Sequence, residues 1–519
     1  MKKTVCLLLC LLTMSFFLLI DIQQQWHPFP CEPLNGVQEA TPIPEVTMAN
    51  FASGKLQSGM EQYSKDHLGF REPLIRLYNQ YLWDCYHQTN VKSILVGKHH
   101  YLYNTDFVDD YQGLHWKNYA PDLPTMQHNL LMEATRLKKL QDLLAGYGKT
   151  LFVMLEPGKT RVYPEYLPDR IVEPEGNCTA ADLYPIYFDS LGVNYINIDR
   201  WFQQAKDTAT FPLYPQLGTH WSNLAALYAT DSLLHYMQQL GNITLPELAI
   251  SESTYDTTMT PDDDLEKLLN LARPVRGIAN QYAPFTVESD SNTIKPSWLV
   301  VGDSYFWNIS YHIPLDQLFK QHHFWYYNSS VFYDSEHSNT GQVDWLDELM
   351  NTDFVTVSYC TANLYAMSNH FSSKALATLC CNREEIRQAL LNIMTSMRNT
   401  PEWIEALQAK ADAQGQPLET VMYNDAEYML YSDIERYLPS LQATHPASRN
   451  DMLRYYDAND PIGAILRNMH NDPQWMESLK AKAEEKQLDL ETVMIQDAKW
   501  MLQQQSNVFS NFASQPHHP

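Results

Sequence analysis

From Gln127 to Gly146 the chain reads QHNLLMEATRLKKLQDLLAG, with apolar side chains returning every three to four positions and a glycine closing the run. That spacing predicts a helix ending at Gly146. The next stretch, TLFVMLEPG at 150–158, is apolar without interruption and predicts a strand buried on both faces. VNYINIDRWF gives a further strand at 193–199 that runs into a helix, and SWLVVGDSY (297–305) and DFVTVSYC (353–360) carry the same strand signature. Between them, YPQLGTHWSNLAALYATDSLLHYMQQLG (214–241) reads as a long amphipathic helix with Ser222 or Asn223 as its cap. Strands alternating with helices predict an α/β domain with a mostly parallel sheet flanked by helices and spanning 51–370. In such sheets functional residues collect at the C-terminal ends of the strands.

After about residue 375 the pattern turns wholly helical and repeats with a period of 72 residues. MRNTPEWIEALQAKADAQGQPLETVMYNDAEYML (397–430) matches MHNDPQWMESLKAKAEEKQLDLETVMIQDAKWML (469–502). Each copy begins a helix at Pro401 or Pro473 with Thr400 or Asp472 as cap, and Trp403, Leu407 and Ala411 share one face of the first copy. An all-α region is therefore expected over 375–519, its tryptophans serving to pack helices on one another.

The N-terminus carries two lysines and then an uncharged run from Thr4 to Ile20. Residues 1–21 read as an export signal, either an uncleaved anchor holding the rest of the chain outside the cytoplasm or a cleaved peptide. Residues 22–50, with five prolines and no periodicity, read as a linker. The formal net charge of −25 excludes nucleic acid as a partner, because no excess of Lys and Arg is present to replace phosphate counterions. Thirty-two Tyr and 12 Trp supply aromatic surface of the kind that binds sugars. Outside the export segment stand Cys31, Cys85, Cys178, Cys360, Cys380 and Cys381, enough for three disulfides outside the cytosol. No CxxC or HExxH spacing occurs, and the adjacent pairs His99–His100 and His322–His323 would point to opposite faces of a strand, so no metal site is expected.

One turn raises a chemical question. Gly302, Asp303 and Ser304 follow directly on an apolar strand, the residues of an ordinary turn, yet also the place where a nucleophilic hydroxyl would stand exposed. Serine needs a base to remove its proton and donors to receive the oxyanion. His220, just before the long helix, is the candidate base, since the positive end of a helix dipole tends to keep an imidazole neutral. The Ser304 amide is the candidate oxyanion donor, with Asp303 a turn and cap residue.

Gly-Asp-Ser-Tyr after a strand, together with Thr-His-Trp before a helix, resembles the SGNH-hydrolase-like family named for its DHHW pattern, which includes periplasmic alginate O-acetyltransferases. DHLGFREPLIRLYNQ (66–80), VGKHHYLYNTDFVDDYQG (96–113) and EPGKTRVYPEYLP (156–168) are similar to the family's successive blocks, so the resemblance covers roughly residues 50–365. It implies an SGNH-like (flavodoxin-like) fold and a Ser-His-Asp site in which the acid stands two residues before the histidine. Here that position is Gly218. Three readings follow. Another carboxylate, with Asp199 as the candidate, reaches His220. A Ser-His dyad works slowly, in which case Gly218→Asp would raise the rate. Or the site is inert.

The resemblance implies a cell-envelope polysaccharide O-acetyltransferase working through an acyl-enzyme on Ser304, periplasmic and held at the inner membrane. It also implies an acetyl donor supplied by a membrane-bound O-acyltransferase. An extracytoplasmic carbohydrate esterase and an inert glycan-binding scaffold are the alternatives. Tyr305, Trp221, Trp307 and Lys159 are the substrate-binding candidates, Arg71 lies in a family-like block, and the chemistry requires no cofactor.

Overall fold

The computed structural model describes residues 2–36, 41–174, 179–252, 254–256 and 262–443 and, in the second repeat, residues 469, 473–486, 490, 493–494 and 497. Six strands form the main sheet: β1 (Thr150–Glu156), β2 (Tyr195–Asn197), β3 (Ser297–Gly302), β4 (Gln321–Tyr326), β5 (Ser330–Phe332) and β6 (Phe354–Cys360). Their spatial order is β5-β4-β3-β6-β1-β2. All neighbours are parallel except the edge pair β4/β5. Every residue of β3 and β6 is buried, as the uninterrupted apolar runs predict for strands covered on both faces.

Side chains alternate between two cores. Leu151, Val153 and Leu155 of β1, with Val355 and Val357 of β6, enter one core, and Phe152 and Met154 enter the other. The first core lies under α1 (Leu123–Gly146), α2 (Ala180–Leu191) and the C-terminal helices, and the second under α3 (Ile198–Ala205) and α4 (Asn223–Gly241). The helix expected over 127–146 starts four residues earlier. Asp122 caps it by accepting from the Thr125 amide, and Pro124 sits in the first turn where its missing N–H is harmless. Three small antiparallel pairs, 94–96 with 102–104, 247–250 with 285–288 and 254–256 with 280–282, stand outside the main sheet. Their short runs gave no alternation to read.

The N-terminal helix, Lys2–Trp26, is long and apolar enough over Thr4–Trp26 to cross a membrane, consistent with a signal sequence or an anchor. Its last turn folds back on the stretch expected as a linker: Gln23 is buried, donates to the Phe29 carbonyl (2.7 Å) and accepts from the Phe29 amide (3.1 Å). Asn35 is tied to Asn270 by reciprocal hydrogen bonds of 2.8 and 3.0 Å, so this part of the stretch is docked on the domain.

The C-terminal helical region is not set apart from the sheet. Leu407, Ala411, Val421 and Met422 belong to the same continuous core as β1 and β6. Arg136 of α1, 9% exposed, holds Glu435 at 2.6 Å. In the second copy Met469, Leu479, Ala483, Val493 and Met494 are buried together, at the positions equivalent to Met397, Leu407, Ala411, Val421 and Met422 of the first. Lys410–Asp425 and Lys482–Asp497 form the same ion pair in each. The rest of the second copy lies outside the described residues.

Three disulfides do not form. Cys31, Cys85, Cys360 and Cys381 are free thiols, and Cys178 lies outside the described residues. Cys360 ends the central strand β6 and is 2% exposed, whereas Cys85 is exposed and Cys31 half-buried.

Candidate active site

Strand β3 delivers Ser304 to the C-terminal edge of the sheet, and the turn that follows is held by Asp303. This carboxylate is fully buried and accepts from the amides of Tyr305 (3.0 Å) and Cys360 (2.9 Å) and from Asn363 Nδ2 (2.7 Å). Asp303 thus ties the turn to the end of β6, as a turn residue would. Below it Glu156 accepts from Ser358 Oγ at 2.6 Å. Burial pushes the Glu156 carboxyl well above its ordinary range, and the adjacent Asp303 charge adds to the shift.

The His220 loop is fixed from three sides. Ser222 caps α4 by accepting from the Ala225 amide and donates its hydroxyl to the Pro212 carbonyl. Tyr305 Oη donates to the Thr219 carbonyl at 2.9 Å. Lys159, 1% exposed, donates from Nζ to the carbonyls of Leu102 (2.8 Å), Gln216 (3.1 Å) and Gly218 (2.7 Å), with the Tyr101 and Tyr103 rings 5.5 and 5.3 Å away.

In this frame Ser304 Oγ lies 2.9 Å from His220 Nε2, and His220 Nδ1 lies 2.8 Å from Oδ2 of Asp264. Asp264 opens the five-residue helix α5 (Asp264–Leu268), and its other oxygen accepts from the amides of Thr219 (2.7 Å) and Leu265 (2.8 Å). A carboxylate so fixed selects the tautomer with the proton on Nδ1, leaving Nε2 to accept from the serine hydroxyl. The imidazole is 14% exposed and the Asp264 side chain 26%, so the site opens to solvent on one side. Among the described residues the Ser304 amide has no acceptor.

Asp264 was not singled out from the sequence, and the reason is geometric. At Gly218 an added Cβ would stand 2.8 Å from the Asp262 carbonyl oxygen and 2.9 Å from Pro215 Cγ. The segment that carries Asp264 occupies the space a side chain at 218 would need. The signal in the sequence was the acidic run Asp262–Asp264 ahead of an apolar helix, lying between the histidine and serine blocks. Among 61 acidic residues nothing marked it out.

The structure places the other candidates elsewhere. Asp199, buried at the start of α3, accepts from Arg161 Nε (2.9 Å), Gln203 Nε2 (2.7 Å) and the Gly158 amide (3.4 Å), so it is not the carboxylate at His220. Burial raises its pKa and the Arg161 charge opposes that shift. Lys159 Nζ is surrounded by three backbone carbonyls that take up its donors, and none is turned to a substrate. Trp221 and Tyr305 are core residues at 0% and 1% exposure, with Trp221 Nε1 donating to the Tyr305 carbonyl. Trp307 is half-buried, stacked on Tyr311 with ring centres 5.0 Å apart. Arg71 pairs with Asp66 at 3.6 Å.

Burial pulls the Lys159 pKa down to about 7, against a smaller upward push from the Asp264 charge. Between pH 7 and the ordinary lysine value of 10.5 the unfolded chain therefore carries a proton that the folded chain has lost, so stability from this group rises with pH across that window. We predict that urea unfolding of Lys159→Met, compared with the parent between pH 7 and 10, shows the parent gaining up to about 1.4 kcal/mol per pH unit relative to the variant. Parallel curves would show Lys159 to be protonated throughout.

No protein of curated function matches the chain by sequence. Among solved structures, the O-acetyltransferase domain of Pseudomonas putida AlgJ is similar at 15% identity, covering 53% of this chain and 92% of that one with a TM-score of 0.35. Bacillus cereus PatB1 is similar at 16% identity over 46% of this chain and 91% of its own, TM-score 0.31. Pseudomonas aeruginosa AlgX is similar at 13% over 51% and 55%, TM-score 0.30. Likenesses at this level carry no functional weight. Residues 118–314 match the family model described as the SGNH hydrolase-like domain of the acetyltransferase AlgX. That segment, less than half of the chain, holds Ser304, His220 and Asp264, and over it the chain is similar to the SGNH hydrolase-like acetyltransferase domain.

Proposed function

We propose that the protein is a cell-envelope polysaccharide O-acetyltransferase in which Ser304, His220 and Asp264 form the acyl-transfer site. The observation that carries this reading is the unbroken hydrogen-bonded chain from the Ser304 hydroxyl through both imidazole nitrogens to a carboxylate fixed by two amides.

In the first half-reaction Ser304 Oγ attacks the acetyl carbonyl of the donor while His220 Nε2 takes the hydroxyl proton. The Ser304 amide, placed at a strand-end turn, is the donor offered to the oxyanion. Collapse of the tetrahedral intermediate breaks the bond to the donor's oxygen, which leaves with the proton from Nε2. In the second half, a sugar hydroxyl gives its proton to Nε2 and attacks the acetyl-serine, and Ser304 Oγ departs with that proton. Asp264 remains a carboxylate throughout, holding the ring and stabilising the imidazolium. The donor is an acetyl group handed over by a membrane-bound O-acyltransferase, and the N-terminal helix serves as the anchor that keeps the site at the outer face of the inner membrane. The esterase alternative uses the same atoms with water as acceptor.

Incubation of the full chain, in detergent, with an activated acetyl ester is expected to leave an acetyl group on Ser304, detectable by mass spectrometry. Ser304→Ala is expected to lose the adduct and lower ester turnover by about a thousandfold or more. Turnover that survives in folded Ser304→Ala protein would remove this proposal and leave a scaffold.

A further inference from the structure

Beside the His220 loop lies a cavity of about 330 Å³, lined by Tyr101, Tyr163, Tyr166, Glu165, Lys206 and Asp207 among others, that the acyl-transfer chemistry does not use. Its wall is an aromatic corner. Tyr101 and Tyr166 are stacked with ring centres 3.9 Å apart and planes 5° from parallel, and Tyr163 stands at 76° and 72° to them. Along the rim Lys206 donates to Glu165 at 3.0 Å, which balances that pair and leaves the exposed Asp207 as the uncompensated charge. The cavity is also wired to the site: Tyr163 Oη accepts from the Leu213 amide at 3.0 Å, and Leu213 accepts from the Ser222 amide across the loop that carries His220.

We infer that this cavity is a subsite for a neutral pyranose unit of the acceptor glycan, an inference that rests on the acyl-transfer reading for the word acceptor but not for the binding itself. The half-buried Tyr166 and Tyr163, set at 72° to each other with Tyr101 stacked behind Tyr166, offer a face for the C–H side of a sugar ring and an edge to limit its orientation. Glu165, Lys206 and Asp207 supply acceptors and donors for its hydroxyls. The volume is at the lower end of that of small-ligand pockets. A uronate unit would bring its carboxylate against Asp207, on a chain whose net charge is already −25, so a neutral polymer is selected over a polyuronate.

The test is calorimetric titration of the full chain carrying Ser304→Ala, at near-physiological salt, with a β-1,4-linked glucose hexamer and with a mannuronate hexamer. The glucose hexamer is expected to bind and the mannuronate hexamer not. Tyr166→Ala is expected to weaken glucose-hexamer binding about tenfold. Asp207→Lys, a change on an exposed side chain, is expected to bring mannuronate binding into range, which covers the case in which Tyr166→Ala unfolds. Equal or tighter mannuronate binding by the parent, no binding of the glucose hexamer, or unchanged affinity in a Tyr166→Ala protein with an intact melting transition would each overturn the inference. Acetyl-serine trapping, measured separately on the chain with Ser304 intact, reads the catalytic proposal alone. Hexamer binding without trapping removes that proposal and leaves the cavity as a glycan site.

Discussion

Asp264→Asn is expected to lower turnover of an activated acetyl ester by about a thousandfold to ten-thousandfold while the protein stays folded. The amide keeps the size of the carboxylate, and one oxygen can still accept from the Thr219 and Leu265 amides. Its NH2 would then face Nδ1 of His220, now 2.8 Å from a carboxylate oxygen, and favour the tautomer with the proton on Nε2. In that tautomer the imidazole cannot accept from Ser304. Asp199→Asn provides the contrast. It weakens the partner of Arg161, which is buried beside it at 2.9 Å, so its effect is expected in the unfolding midpoint and not in the rate of folded enzyme. If the two variants exchanged these behaviours, the acid would be Asp199 in solution and the assignment of Asp264 would fall.

Gly218→Asp, the change that the family pattern suggests as a repair, is expected to do the opposite. A Cβ at 218 would meet the Asp262 carbonyl at 2.8 Å, and backbone cannot swing aside as the tip of a flexible side chain can. Relief requires the 262–264 segment to withdraw, taking Asp264 from His220, or the 216–218 segment to lift away from Lys159. Either movement disturbs the histidine. We expect at least a hundredfold loss of ester turnover and a lowered unfolding midpoint, with Gly218→Ala showing the same direction, since the clash is with Cβ itself. A rate increase in Gly218→Asp would mean that the loop yields freely and that the new carboxylate takes over the imidazole.

The fold and two of the three residues in the hydrogen-bonded chain could be read from local pattern. Strands β1, β3 and β6 announce themselves because a strand buried on both faces must be apolar throughout, and Ser304 and His220 each stand at the junction of such an element with its neighbour. Asp264 could not be read in this way. Its position is set by long-range pairings such as Thr219 with Asp264 and Tyr282 with Asp262. The binding candidates went astray for a related cause. Trp221 and Tyr305 are aromatic whether they line a groove or fill a core, and only the packing around them decides. The cavity beside the tyrosine corner joins residues from 101 to 212, again a product of tertiary contact.

The duplicated helical unit has a consequence for how such a chain can change over generations. The five positions that are buried in one copy are buried in the other, and the lysine–aspartate pair recurs at the same spacing. Most of what shapes the unit is therefore inherited with it when the segment is copied, whatever lies alongside. The first copy belongs to the core beneath the sheet, whereas, among the described residues, the buried set of the second is assembled from its own. Loss or further copying of the second unit would therefore take no described residue out of the core beneath the sheet, whereas loss of the first would open it.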